Sequence, residues 1–147
     1  MLSSLETERS FMKETEFDIG GLKKSLSTLQ EAWDIYNTSL TKAMKTIVAD
    51  SCIQRYEYTL ETSWKIMKKY LKLAYGKTDT ELTMNNIFRF MAGYGFISDW
   101  ERWKYYYLYR NDTTHEYSVK KSQTVLKIIP DFIQDVQELI TALDNAK

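Results

Sequence analysis

Apolar residues recur at intervals of three and four along most of this chain, the spacing of one face of an α-helix. Leu22, Leu26, Leu29, Trp33 and Tyr36 trace such a face and predict a first helix from about Gly21 to Tyr36. Ile53, Tyr56, Leu60, Trp64, Met67, Leu71 and Ala74 predict a second, longer helix from about Ser51 to Tyr75, closed by Gly76. Thr78 with Glu81, and Ser98 with Glu101, have the spacing of capping boxes. They predict the starts of a third helix reaching about Ala92 and a fourth ending near Arg110. A last helix, from about Ser118 to Asp144, is read from Val125 or Leu126, Ile129, Phe132, Val136, Leu139 and Leu143. Pro130 is expected to kink it, because a proline inside a helix removes one amide donor and clashes with the preceding turn. One proline and five glycines are too little turn chemistry for a many-stranded sheet fold. The predicted class is all-α, a five-helix antiparallel bundle. Residues 1–18 have no clear period beyond Leu2, Leu5 and a Phe11 to Phe17 patch, and are expected to fray or form a short extra helix ahead of one domain over 19–147.

Composition narrows the function. A chain of 147 residues suits one domain and buries roughly 70% of its unfolded surface, so it needs no disulfide or metal staple. Twenty basic residues cancel twenty acidic ones, so long-range electrostatics alone would not hold the protein on nucleic acid or on an anionic membrane at physiological salt, and neither DNA nor a membrane is an expected partner. Contact with any phosphate must be local. A single cysteine, Cys52, and a single histidine cannot make an internal disulfide or a zinc site, and a reducing cytoplasm fits. Glu6, Glu8, Glu14, Glu16 and Asp18, with no apolar run among them, argue against a signal peptide or membrane anchor at this end.

The one histidine stands in Arg110-Asn111-Asp112-Thr113-Thr114-His115-Glu116-Tyr117. In a continuous helix Arg110 and His115 would point about 140° apart. Asn111, Asp112, Thr113 and Thr114 favour turns and caps over helix interiors, so the helix is expected to break there and let guanidinium, imidazole and phenol converge. Such a set suits phosphodiester chemistry on RNA: a fixed cationic fork for phosphate, and an imidazole that takes or gives the proton of a 2′-hydroxyl or leaving oxygen. The same residues would equally serve as an ion pair, a helix cap and a packed ring.

Arg110 to Tyr117 resembles the R-x4-H-x-Y signature of HEPN-domain proteins of the HepT type. The stretch Ile53-Gln54-Arg55-Tyr56-Glu57-Tyr58-Thr59-Leu60-Glu61-Thr62-Ser63-Trp64-Lys65 resembles the second-helix pattern of that family, and the likeness runs from about Gly21 to Leu143. The resemblance implies a five-helix HEPN fold that forms a homodimer with two motifs facing one cleft. It implies a metal-independent, cofactor-free ribonuclease toxin of a type VII-like pair, with Arg110 and His115 catalytic and Asn111, Asp112 and Thr114 supporting the motif. It also implies a minimal nucleotidyltransferase antitoxin (MNT type) as partner, which attaches AMP to the tyrosine of the motif, here Tyr117. The alternative implied by the same subgroup is a non-catalytic subunit that presents a nucleotide or other substrate to the nucleotidyltransferase. Thr114 stands where serine is frequent, and Glu116 adds a carboxylate beside the tyrosine.

Lys65, Lys68, Lys69 and Lys72 form a basic stripe on the second helix, usable by RNA or an acidic partner and equally ordinary as a solvated face. Tyr105, Tyr106, Tyr107 and Tyr109 precede Arg110. Three consecutive rings cannot share one helical face, so some belong to the core while others, Tyr109 among the candidates, are free for base stacking or dimer contact. Glu57 and Glu61 are expected to support Arg110 or the partner surface, and Cys52 to be buried.

Overall fold

The computed structural model describes residues 17–112 and 119–146, the side chains of 111, 112 and 119–121 excepted. Among these residues the chain forms five helices and no strand: α1 Gly20–Tyr36, α2 Lys42–Tyr75, α3 Met84–Gly93, α4 Trp100–Asp112 and α5 Val119–Asn145. Helix α1 packs along α2, α3 and α4 pack on each other and on α2, and α5 closes against α1, α2 and α4. No described helix is long and apolar enough to cross a membrane.

Most of the apolar stripes lie in the core. Leu22, Leu26 and Leu29 of α1, Ile53, Tyr56, Leu60, Met67 and Leu71 of α2, and Val125, Ile129, Phe132, Val136, Leu139 and Leu143 of α5 are all buried. Trp33, Tyr36, Trp64 and Leu126 are half-buried at its edge, and Ala74 is exposed. Ile19 is also buried, and the Phe17 ring lies 5.3 Å from that of Tyr70. Helix α5 is continuous through Pro130, whose ring is on the exposed side.

Three helix starts differ from the sequence reading. Helix α2 begins at Lys42, nine residues before Ser51, where the Thr41 hydroxyl accepts from the Met44 amide at 3.2 Å. Its first turns are exposed and so carry no apolar stripe that periodicity could register. The Thr78–Glu81 box does form, with the Thr78 amide donating to Glu81 Oε1 at 3.1 Å and the Glu81 amide to Thr78 Oγ1 at 3.4 Å. It closes only a turn; α3 starts later, capped by Thr83 on the Asn86 amide at 3.3 Å. The later start puts Leu82 and Ile87, both buried, at the two positions of a hydrophobic staple. At α4 the cap is Asp99, whose carboxylate accepts from the amides of Glu101 and Arg102, both at 3.1 Å. The Ser98 amide instead donates to Glu138 of α5 at 2.7 Å.

A buried polar network fixes α4. Asp135 of α5 is 4% exposed; it accepts from Arg102 through Nε at 2.9 Å and through a second guanidinium nitrogen, and also from the Tyr106 hydroxyl. The Tyr56 hydroxyl of α2 donates to the Tyr106 carbonyl at 2.6 Å. Burial, and then the Asp135 hydrogen bond, push the Tyr106 phenol well above its ordinary range, so it stays a donor. Tyr106→Phe is expected to cost ~1–3 kcal/mol, because a buried carboxylate loses one donor that no water replaces; urea unfolding followed by circular dichroism checks it.

Candidate active site

Arg102, Tyr106 and Arg110 follow at steps of four on α4 and therefore share one stripe. The first two meet the buried Asp135, Tyr106 from within the core and Arg102 from the exposed side, and the third carries the stripe to the C-terminal turn, where a cation also complements the helix dipole. Arg110 reaches across to α2, its Nη2 donating to Glu61 Oε2 at 3.0 Å. The other oxygen of Glu61 meets Lys65 Nζ at 3.0 Å. Lys65 first, and Arg110 after it, hold the Glu61 carboxyl below the usual carboxylate range. A depressed carboxyl pKa means the pair is formed at neutral pH and is lost only as acid titrates Glu61. Both side chains of the pair are about one-third exposed, so the contact orients the guanidinium while contributing little to stability.

Of the residues singled out in the motif, Arg110 is in place at the end of α4. The helix continues past it through Asn111 and Asp112, two residues beyond the end read from the sequence. The side chains of Asn111 and Asp112, and Thr114, His115 and Tyr117 entirely, lie outside the described residues. Glu61 supports Arg110 as expected. The tyrosine run divides as helical geometry requires: Tyr106 is buried, Tyr105 is 56% exposed, and Tyr107 and Tyr109 pack half-buried against the core. The Tyr105 and Tyr109 rings stack with centroids 6.4 Å apart. On α2, Lys65 is paired with Glu61, while Lys68 and Lys72 reach Asp79 at 3.5 and 3.0 Å. Cys52 is fully buried, and burial pushes its thiol up to about 11.

Arg102 and Asp135 were not anticipated, although a signal exists. Asp135 interrupts the apolar stripe of α5 between Phe132 and Val136, and a carboxylate on a core-facing stripe demands a cation from a neighbouring helix.

Residues 17–145 match the family model described as "Nucleotidyltransferase substrate binding protein like". The chain belongs to this family. It is 32% identical over 100 residues, 67% of this chain and 68% of the relative, to a Haemophilus influenzae protein named "Probable ribonuclease HepT". The fold is shared with two solved structures. One is Haemophilus influenzae HI0074, described as revealing the fold of a substrate binding domain of a nucleotidyltransferase, with 24% identity, a TM-score of 0.75 and 86% and 99% of the two chains covered. The other is a Thermus thermophilus protein with 22% identity, a TM-score of 0.70 and 83% and 98% covered. The five-helix HEPN-like architecture is thus that of the nucleotidyltransferase substrate-binding family, with Arg110 and its Glu61 anchor at the outer end of α4.

Proposed function

We propose that the protein is an endoribonuclease that works as a homodimer and needs no metal, with Arg110 and His115 as its catalytic pair. The observation that carries this reading is the guanidinium of Arg110, held at the end of α4 by Glu61 and five residues ahead of the sole histidine. Likeness to a relative named as a probable ribonuclease supports it. In the proposed reaction His115 takes the 2′-hydroxyl proton, the 2′-oxygen attacks phosphorus, and the bond to the 5′-oxygen breaks. The leaving oxygen takes a proton from the partner subunit's His115, giving a 2′,3′-cyclic phosphate and a free 5′-hydroxyl. Arg110 neutralises the charge that builds on the phosphoryl oxygens. Tyr105 and Leu108, exposed on the outer face of α4, offer apolar surface for the second copy.

Regulation follows from the same motif. A nucleotidyltransferase antitoxin would join Tyr117 Oη to the α-phosphorus of ATP, releasing pyrophosphate. The resulting phosphodiester anion and nucleotide, two residues from His115, would repel and occlude an RNA phosphate. The family description favours a second reading, in which the chain offers substrate to the nucleotidyltransferase and cleaves nothing.

One experiment separates the two readings. Purified protein is incubated with unstructured RNA in EDTA, beside His115→Ala, and its mass is measured after co-expression with a minimal nucleotidyltransferase. Cleavage that disappears in the variant, with AMP on Tyr117, is expected. Tight nucleotidyltransferase binding without cleavage at any dose would leave the substrate-binding reading.

A further inference from the structure

The face of α2 leading away from the Arg110–Glu61 pair is a line of cations. Glu61, Lys65, Lys68 and Lys72 succeed one another at steps of four, three and four residues, so they share one stripe, with Lys69 beside it. The line begins at the active site itself, since one Glu61 oxygen holds Arg110 and the other Lys65, each at 3.0 Å. It ends beside a concave feature. Trp64 and Leu73, the four lysines and Asp79 line a groove of about 490 Å³, and Glu61 engages the first of those lysines, Lys65. Asp79 engages two of them, Lys68 and Lys72. Trp64 is half-buried against the core and also lines the groove.

We propose that this groove binds the single-stranded flank of an RNA whose reacting phosphate sits at Arg110, with the lysines on successive backbone phosphates and a base against Trp64. The proposal rests on the nuclease reading. Several observations select this occupant. The cations are spaced along one direction from the reacting centre; at 1.5 Å per residue, Glu61 to Lys72 spans ~16 Å, more than one nucleotide can occupy. An aromatic ring among the lysines suits unpaired bases, whose faces are open for stacking, whereas a duplex keeps its bases stacked inside. A protein with no net charge draws RNA only through such a local concentration of cations. Asp79 then acts as a competitor that RNA must displace from Lys68 and Lys72.

The experiment pairs two variants expected to shift in opposite directions. The triple variant Lys68→Gln, Lys69→Gln, Lys72→Gln removes three phosphate contacts. It should raise KM for an unstructured RNA 12-mer about tenfold or more, with kcat retained, and reduce the slope of log(kcat/KM) against log[salt] by about 2, at ~0.7 per contact on a single strand. Asp79→Asn frees two lysines and should lower KM. Dissociation constants for the labelled 12-mer, measured by fluorescence anisotropy in the His115→Ala background, should move in the same two directions without depending on turnover. Wild-type cleavage with KM and salt slope unmoved in both variants overturns the inference and leaves the nuclease reading standing. Absence of wild-type cleavage fails the nuclease reading, and unmoved dissociation constants then overturn the groove as well. Loss of nucleotidyltransferase binding in the triple variant, with RNA affinity unchanged, would assign the groove to an acidic protein and overturn the proposal.

Discussion

Arg110→Ala is expected to lower kcat/KM for RNA cleavage by about 100- to 1,000-fold, the usual consequence of deleting one preorganised donor from a charge-stabilising site. The loss should fall mainly on kcat, because the guanidinium contributes most when negative charge has accumulated on phosphorus. The fold should hardly respond. Glu61 keeps its contact with Lys65, so no carboxylate is stranded, and a pair this exposed contributes at most about 1 kcal/mol. Arg110→Lys retains the charge but loses the planar fork, and an intermediate rate is expected. Initial rates in EDTA, with a thermal melt of each variant, make the check. Wild-type rates in a well-folded Arg110→Ala protein would remove this residue from the chemistry.

The largest loss of stability is expected from Phe132→Ala, at ~3–5 kcal/mol for emptying an aromatic site in a packed core. Phe132 is fully buried, with its ring 4.7 Å from Tyr56, 5.1 Å from Tyr106 and 6.0 Å from Trp103 between centroids. Those contacts join α2, α4 and α5. A loss of this size is about a fifth or more of the stability of a typical domain, about 5–15 kcal/mol. Phe132→Leu should recover much of it, since leucine fills most of the space. Chemical denaturation with both variants checks the value. Because Tyr56 and Tyr106 also belong to the network that fixes α4, the folded fraction of Phe132→Ala should cleave more slowly than its population alone accounts for.

The sequence was readable wherever one side of a helix meets the core. The stripe from Val125 to Leu143 on α5 and the Leu22, Leu26, Leu29 face of α1 alternate between interior and water at the helical period, so burial and pattern carry the same information. It was unreadable where helix meets solvent on all sides, as in the exposed turns from Lys42 onward, whose helicity continues from the packed part of α2. Local capping signals were real but ambiguous about what they cap: Thr78 and Glu81 bond as expected and yet serve a turn. At the candidate site the motif pointed to Arg110, and Glu61 was foreseen as its support. The Arg102–Tyr106–Asp135 network was not: Asp135 on the core-facing stripe of α5 signals a carboxylate in need of a partner, but which residues of another helix answer it is set by how the two helices meet. His115 and Tyr117 lie outside the described residues, so their part of the motif rests on sequence and resemblance.

The mooring of α4 at Arg102, Tyr106 and Arg110 bears on how this scaffold can be lengthened or shortened. Each added residue turns everything downstream by about 100°. A single insertion within Glu101–Tyr109 would therefore swing Arg110 away from its anchor even if the rest of the bundle accommodated it. Length variation among descendants of this chain, natural or selected in the laboratory, should spare α4.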